Sequence, residues 1–211
     1  MQVLDLFCGV GGFAQGFARA GFRVTGVDIS EYVGRAYTSN CRVNFVKADL
    51  SRVLVKDGDY DIIIGGPPCK PWSAVNTTRR GKAHSDYRLL SRFFRHIEYH
   101  SPEIFVLENV PLLANDVTLR RHVKSLIRFG YSILGKVVKY SDYGAPTRRH
   151  RFILAGVRKG DAKIFFEKLT EHRLSSKTVR DVIWELKDKE KGEVIDHVWP
   201  CLLYTSDAAD E

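Results

Sequence analysis

The stretch Asp5-Leu6-Phe7-Cys8-Gly9-Val10-Gly11-Gly12-Phe13 continues a short apolar run and then places three glycines within four positions. The apolar run over residues 2–7 predicts a buried β-strand, and the spacing over residues 12–20 predicts a helix that ends at Gly21. Glycines between a strand and a helix let the backbone approach a ligand closely. The spacing G-x-G-G differs from the G-x-G-x-x-G of dinucleotide sites, so the turn indicates a general nucleotide or nucleoside site.

The order of strand, turn and helix recurs along the chain. This alternation is typical of a doubly wound, mostly parallel α/β sheet, in which ligands bind beyond the carboxyl ends of the strands. Strands are predicted over residues 2–7, 22–28, 43–47, 61–65, 103–108, 131–140 and 151–157. Helices are predicted over residues 12–20, 86–100, 117–129, 162–169 and 179–186.

Composition places the chain among ordinary globular proteins. Its 211 residues are 44% hydrophobic and 27% charged, which suits one full-sized core. No apolar run approaches the roughly 20 residues that cross a bilayer, and no leader pattern precedes the first strand, so we expect a cytoplasmic protein with no membrane partner. The four cysteines are scattered without metal-ligand spacing, which argues against a metal site and against a disulfide framework.

The charge of the chain is basic and unevenly distributed. The formal net charge is +8, and residues 117–160 contain eleven Lys or Arg against one acid, Asp142. A basic segment of this kind favours a polyanionic partner such as nucleic acid, although a solvated surface explains it as well.

Two acidic residues follow predicted strands at the ligand edge of the sheet. Asp28 ends the second strand, where a carboxylate can accept hydrogen bonds from ribose hydroxyls. Asp49 follows the third strand, where it can meet an adenine amino group. Either acid taken singly is equally well explained as a helix N-cap. The glycine turn and the two acids in this order favour S-adenosylmethionine over NAD.

The segment GGPPCKPWS, residues 65–73, places Cys69 among prolines directly after the fourth strand. The stiff backbone and the neighbouring Lys70 suit a reactive thiolate, whereas Cys8 and Cys41 are expected to be core residues. Glu108 ends the next strand, so its carboxyl group emerges at the same edge. The loop over residues 66–85, which contains Arg79, Arg80 and Lys82, is longer than most strand–helix connections and is expected to act as a clamp on a ligand.

Two arginines lie around the start of the last predicted strand. In a β conformation, Arg149 and Arg151 point to the same side, toward whatever the cysteine and the glutamate act upon.

The ordered segments DLFCGVGGF, GVDIS, ADLS, GGPPCKPWS, ENV and DYGAPTRRHRF resemble the cytosine-C5 DNA methyltransferase family over about residues 2–157. The resemblance implies a Rossmann-like, class I adenosylmethionine-dependent fold. It implies that Cys69 attacks C6 of a flipped cytosine, that Glu108 contacts N3, that Arg149 supports Glu108 and O2 of the base with Arg151 beside it, and that Asn109 holds the cysteine loop. The resemblance further implies a cofactor site for S-adenosylmethionine formed by Phe7, Gly9, Val10, Gly11, Asp28, Ile29, Asp49, Leu50, Pro68 and Leu89.

The chain departs from the family pattern at three places. Lys70 and Thr147 stand where the family usually has glutamine. The target-recognition region and the closing asparagine motif of the family are absent from the sequence. We therefore expect a catalytic domain over residues 1–160, the beginning of a connection over 161–200, and a truncated or non-native tail over 201–211.

The leading hypothesis is a monomeric, cytoplasmic or nucleoid-associated enzyme that methylates double-stranded DNA in a restriction-modification setting. One alternative is an RNA methyltransferase of the tRNA-acting branch, which shares the same motifs. The other is a non-catalytic fragment that binds adenosylmethionine or nucleic acid. An amino-methyltransferase is disfavoured because the chain has Gly66-Pro67-Pro68-Cys69 rather than an Asp/Asn/Ser-Pro-Pro-aromatic motif.

Overall fold

The computed structural model describes residues 1–41, 43–73 and 81–189. Its strands are β1 (Gln2–Leu6), β2 (Arg23–Asp28), β3 (Asn44–Lys47), β4 (Ile62–Gly65), β5 (Ile104–Asn109), β6 (Ser132–Lys139) and β7 (His150–Val157). They form one seven-stranded sheet in the order β3-β2-β1-β4-β5-β7-β6. The α/β sheet confirms the predicted fold class.

Strands β1 to β5 are parallel, whereas β7 pairs antiparallel with both β5 and β6. The amino end of β7 therefore lies beside the carboxyl end of β5, with Phe152 opposite Asn109 and Ile153 opposite Glu108. Along the sheet the strand order reverses at β1, between β2 and β4. Ligands of open α/β sheets bind beyond the carboxyl ends of the strands at such a point.

Helices α1 (Gly12–Arg19), α2 (Glu31–Cys41) and α5 (Ala162–Glu171) contribute to one core, and α3 (Tyr87–His100) and α4 (Val117–Arg128) contribute to another. The side chains of β1 alternate between them, because Val3 belongs to the first core and Leu4 and Leu6 to the second. The sheet is therefore covered on both faces, which explains why its central strands are almost uniformly apolar.

The predicted elements agree with the structure to within one or two residues at most ends. Gly21, with φ +85°, directly follows the cap residue of α1, as its prediction as a helix end requires. Helix α2 was not among the predicted elements. The predicted helix over residues 179–186 is instead a single α-helical turn, α6 (Val179–Ile183), followed by a 3-10 turn (Trp184–Leu186).

The chain divides into two compact units. The first comprises Met1–Lys139 and His150–His172 and contains the whole sheet. In the second, the described parts of Tyr140–Arg149 and Arg173–Glu211 are joined by a bridge between Tyr143 and Leu174. Within the described ranges, no helix is long and apolar enough to cross a membrane.

Candidate active site

The turn after β1 has a backbone that glycine makes possible. Gly9 and Gly11 have φ of +52° and +93°, and Phe7 also lies in the left-handed region at +58°. A methyl group at Gly11 would overlap Cys41 Sγ, so this glycine permits close packing against α2. No atom lies within 4 Å of the corresponding point at Gly9, which leaves that side of the turn open.

Asp28 joins the end of β2 to this turn. Its Oδ2 accepts a hydrogen bond from the backbone N–H of Gly9 at 3.2 Å, and its Oδ1 accepts one from Ser30 at 3.1 Å. Each carboxylate oxygen has two lone pairs, so Asp28 retains capacity to accept hydrogen bonds from a ribose.

Asp49 is engaged in a local turn after β3. Its Oδ1 accepts the backbone N–H of Ser51 at 2.9 Å, and its Oδ2 lies 3.3 Å from Nε of Arg52. The hydrogen bonds from Ser51, together with the charges of Arg52 and Arg88, hold the pKa of Asp49 below its usual range. The carboxylate is therefore ionised at neutral pH.

A cavity of about 490 Å³ lies at the carboxyl ends of these strands. This volume is within the range of about 300–1,000 Å³ that is typical of small-molecule sites. Seven predicted cofactor residues line it, namely Phe7, Asp28, Ile29, Asp49, Leu50, Pro68 and Leu89, whereas Gly9, Val10 and Gly11 do not. Sequence reasoning missed six lining residues, which are Ala48, Ser51, Gly66, Ser85, Asp86 and Arg88.

The cavity fits S-adenosylmethionine in its chemistry. Phe7, Ile29 and Leu50 supply apolar surface for an adenine ring, and Asp28 supplies acceptors for a ribose. The assignment of these side chains to a cofactor stays a prediction.

The loop that carries Cys69 is fixed on its amino-terminal side by Asn109. This asparagine, only 1% exposed, donates from Nδ2 to the backbone oxygen of Pro67 at 2.8 Å. Its Oδ1 accepts the backbone N–H of Val110 at 2.9 Å, which sets the orientation of the amide. The thiol of Cys69 is partly exposed, whereas Cys8 and Cys41 are buried in the core as predicted.

Glu108 and Arg151 form an ion pair at the same edge. Nε of Arg151 lies 2.9 Å from Oε1 of Glu108, with the two side chains 12% and 27% exposed. A methyl group at Gly66 would lie 3.3 Å from Oε2 of Glu108, so the carboxylate lies beside the loop that leads to Cys69. The antiparallel β7 makes this possible, because it brings its first residues to the carboxyl end of β5.

Arg149 lies directly before β7. Strand β7 begins at His150, so Arg149 lies one residue before the strand. Arg149 belongs to the second unit, where its backbone N–H donates to Oγ1 of Thr147 at 3.3 Å. Its role at a base stays a prediction.

Part of the predicted clamp lies outside the described residues, including Arg79 and Arg80. Lys82 belongs to a 3-10 turn (Gly81–Ala83) and is exposed. Cys201 also lies outside the described residues. Within them, no group of three or more His, Cys, Asp or Glu side chains is arranged to hold a metal ion.

The doubly wound sheet with a cavity at its switch point is the fold of Rossmann-like methyltransferases. The chain belongs to the C-5 cytosine-specific DNA methylase family, whose model matches residues 1–207. This membership confirms the resemblance that its motifs indicate.

Among curated proteins, the type II methylase M.HgiDII of Herpetosiphon aurantiacus is 32% identical over 201 residues, which cover 90% of this chain and 56% of that protein. A solved structure described as a DNA modification methyltransferase encoded within a prophage of E. coli is 32% identical with a TM-score of 0.73, over 90% of this chain and 56% of that one. The S. pombe Dnmt2 methyltransferase, at 18% identity and a TM-score of 0.66, covers 86% of this chain and 58% of that one and shares the fold. The chain spans about half the length of the curated relatives it matches.

Proposed function

We propose that this chain carries the catalytic centre of a DNA cytosine-C5 methyltransferase that uses S-adenosylmethionine. The observation that carries the proposal is the position of Glu108 beside the loop that bears Cys69. Glu108, held by Arg151 at 2.9 Å, lies beside Gly66 of the loop that bears Cys69, where an added methyl group would come within 3.3 Å of its Oε2. A thiol and a carboxyl group are thereby brought to one edge of the sheet, next to the cavity.

In the proposed reaction, the thiolate of Cys69 attacks C6 of the cytosine and forms a sulfur–carbon bond. The C5–C6 double bond moves its electrons toward C5 and N3, so C5 becomes nucleophilic. A cytosine stacked in a duplex does not expose C6 to a protein thiol, so the reaction requires the base to be flipped out of the helix.

Glu108 is proposed to contact N3 and to supply a proton as charge develops there. The guanidinium of Arg151 fixes the orientation of that carboxyl group through the 2.9 Å ion pair. Arg149 is proposed to contact the same base, as the family resemblance implies.

S-adenosylmethionine, bound in the cavity, would supply an electrophilic methyl group on a sulfonium. Phe7, Asp28, Ile29, Asp49, Leu50, Pro68 and Leu89 are proposed to hold it, with Gly9, Val10 and Gly11 forming the adjoining turn. Once C5 is methylated, its proton passes to a water molecule, N3 returns its proton to Glu108, and Cys69 leaves C6 as the thiolate, which restores the C5–C6 double bond.

DNA is favoured over RNA as the substrate, because the matching family is defined by DNA cytosine methylation and the curated relatives include type II methylases. The same membership disfavours a purely binding fragment. We further propose that residues 1–160 form the catalytic domain, with a connection over 161–200 and a tail over 201–211, in a monomeric enzyme of the cytoplasm or nucleoid that requires no metal.

The proposal is tested by trapping the covalent intermediate. In the protein encoded by the full reading frame, we expect an adduct with duplex DNA that contains 5-fluorocytosine, because fluorine at C5 blocks release of the cysteine. Cys69→Ser abolishes the adduct, whereas Cys41→Ser retains it. Gel electrophoresis under denaturing conditions measures both results. An adduct that persists in Cys69→Ser contradicts the mechanism.

A further inference from the structure

The loop that carries Cys69 has a second attachment, three residues beyond the cysteine. Trp72 is 6% exposed, and its indole Nε1–H donates to Oδ2 of Asp116 at 2.9 Å. Oδ1 of Asp116 also accepts the backbone N–H groups of Thr118 and Leu119 at 2.7 and 3.1 Å, as the N-cap of α4. One carboxylate therefore ties the cysteine loop to the beginning of a helix.

Tyr87, the first residue of α3, completes this group. Its hydroxyl lies 3.0 and 2.9 Å from the two carboxylate oxygens of Asp116 and 2.8 Å from Oγ1 of Thr118. Its ring packs on that of Trp72 with centroids 5.4 Å apart. We call Trp72, Tyr87 and Asp116 the tryptophan brace. It joins the cysteine loop, α3 and α4.

The carboxylate of the brace stays ionised although it is partly buried. Burial alone would raise the pKa of Asp116, but the hydrogen bonds from Trp72, Leu119, Tyr87 and Thr118 together hold it below the usual range. Hydrogen bonds to an ionised acceptor are roughly twice as strong as neutral ones. The brace is therefore a firm attachment rather than an incidental contact.

The brace and Asn109 hold the loop on opposite sides of Cys69. Asn109 fixes the backbone of Pro67, two residues before the cysteine, and the brace fixes the side chain of Trp72, three residues after it. Between them, the backbone N–H of Trp72 donates to the oxygen of Cys69 at 2.9 Å. The position of the thiol is thereby set from both directions.

We propose that Trp72, with Asp116 and Tyr87, is a positioning residue that holds Cys69 in the geometry required for attack. The inference rests on the proposed function of Cys69 and extends it to residues outside the reacting groups. Phenylalanine would fill the apolar space of the indole but would lack the donor, so the packing and the positioning roles can be separated.

The first test measures the position of the thiol without any methyl transfer. Wild-type protein and Trp72→Phe are exposed to iodoacetamide, and alkylation of each cysteine is followed by mass spectrometry. Loss of the brace raises the alkylation rate of Cys69 by about threefold or more, because the loop opens locally, while Cys8 and Cys41 remain protected. An unchanged rate at Cys69, or an equal rise at Cys8, Cys41 and Cys69, overturns the proposal.

Tyr131→Phe is the matched control. Tyr131 belongs to the same core, is 5% exposed, and donates its hydroxyl to the backbone oxygen of Pro102 at 2.6 Å. This variant also removes one buried hydrogen bond, but Pro102 lies before β5, at the opposite end of the strand from the cysteine loop. Alkylation of Cys69 stays at the wild-type rate. A rise equal to that of Trp72→Phe shows a general loss of stability and contradicts the brace.

The second test is the single-turnover rate of adduct formation with 5-fluorocytosine DNA at saturating DNA and cofactor. Because DNA is saturating, this rate does not depend on affinity, and Trp72→Phe lowers it by roughly tenfold or more, since misplacing a reacting group by about 1 Å is costly. Asp116→Asn retains the helix cap but removes the acceptor for the indole, so the double variant is no slower than Trp72→Phe alone. If the losses of rate in Trp72→Phe and Asp116→Asn add up in the double variant, the brace is overturned. If the wild-type protein formed no adduct while Trp72→Phe still raised the alkylation of Cys69 alone, the proposed function would be contradicted but the brace would not.

Discussion

Asp5 is a carboxyl group within β1 that the proposed chemistry does not use. It is 1% exposed, and the hydroxyl of Tyr37 donates to its Oδ2 at 3.4 Å. Burial, opposed in part by this hydrogen bond, raises the pKa of Asp5 to about 8. The folded protein therefore keeps a proton on Asp5 at neutral pH, whereas the unfolded chain releases it above the ordinary value of 3.8.

This difference makes stability depend on pH. Because the folded state binds more protons, the contribution of Asp5 is fully present below about pH 4, decreases up to about pH 8 and is constant above that. Asp5→Asn removes the titration, so we expect its free energy of unfolding to rise relative to wild type by up to about 1.4 kcal/mol per pH unit across this interval. Urea denaturation at several pH values measures the difference.

The comparison with the variant is needed because His96 has the opposite effect. Burial lowers the pKa of His96 to about 4, so its contribution is lost as the pH falls from 6.5 toward 4. Subtracting the two stability curves cancels this contribution, which both proteins share. Parallel curves for wild type and Asp5→Asn would contradict the raised pKa of Asp5.

Asp28 allows a direct measurement of cofactor binding. Its carboxylate lines the cavity and retains lone pairs for a ribose, so Asp28→Ala weakens S-adenosylmethionine binding by about 1–3 kcal/mol. Isothermal titration calorimetry measures the affinity. The variant also loses hydrogen bonds to Gly9 and Ser30, so circular dichroism serves to verify folding. Equal affinity in both proteins, or a preference for NAD, contradicts the assigned site.

At the scale of elements, apolar periodicity was sufficient to predict the central strands and the helices α1, α3 and α4. Helix α2 was not predicted because few of its residues form an apolar face. Its buried residues are Gly34, Tyr37 and Cys41, and glycine is a poor helix former. The packing of Gly34 against the ring of Phe45 stabilises the helix instead, which is a tertiary contact without a local signal.

The site was predictable where its residues end a strand and follow a recognisable motif. Ser85, Asp86 and Arg88 line the same cavity but lie just before or in the first turn of α3, far along the chain from the strand ends. No pattern in the sequence indicates that the beginning of a helix forms part of the cavity wall. The antiparallel direction of β7 could not be predicted either, because the alternation of strands and helices along the chain does not show which strand inserts between two others.

The pairing of β5 with β7 depends on a glycine. Gly156 lies opposite Phe105, and a methyl group there would overlap the aromatic ring. Both residues are buried, so Gly156→Ala destabilises the protein by about 1–3 kcal/mol through overpacking. Chemical denaturation measures the loss.

Gly16→Ala is the matched control for this substitution. Gly16 lies inside α1, and no atom lies within 4 Å of the position of the added methyl group. Alanine is the better helix former, so this variant gains about 0.5–1 kcal/mol. If both substitutions had the same sign, the steric account of Gly156 would be wrong.

At the scale of the whole molecule, some basic residues form salt bridges with acidic side chains and others do not. Helix α4 carries Arg120, Arg121, Lys124 and Arg128, and none of these forms a salt bridge with the described acids. On α5, by contrast, Lys163 and Lys168 lie 3.5 and 2.9 Å from glutamate oxygens. The charge on α4 therefore remains available for an external polyanion.

We expect the 211-residue chain to bind duplex DNA with an affinity that falls with salt and differs little between base sequences. Replacing Arg120, Arg121 and Lys124 with serine reduces the slope of log affinity against log salt by up to about three, or about one per lost phosphate contact. Fluorescence anisotropy at several salt concentrations measures the slope. Replacing Lys163 and Lys168 with glutamine leaves it unchanged. Tight, sequence-selective binding by this chain would contradict the expectation.

The insertion of β7 between β5 and β6 has a consequence for synthesis on the ribosome. Strand β6 is translated before β7, yet it joins the sheet only through β7. Until His150–Val157 leaves the exit tunnel, the nascent chain holds an apolar β5 with one unpaired side and a finished β6 with no neighbour to dock on. Strand edges in this state attract other chains. Stalled or prematurely terminated translation products that end between the two strands are therefore the forms most exposed to chaperones and to aggregation.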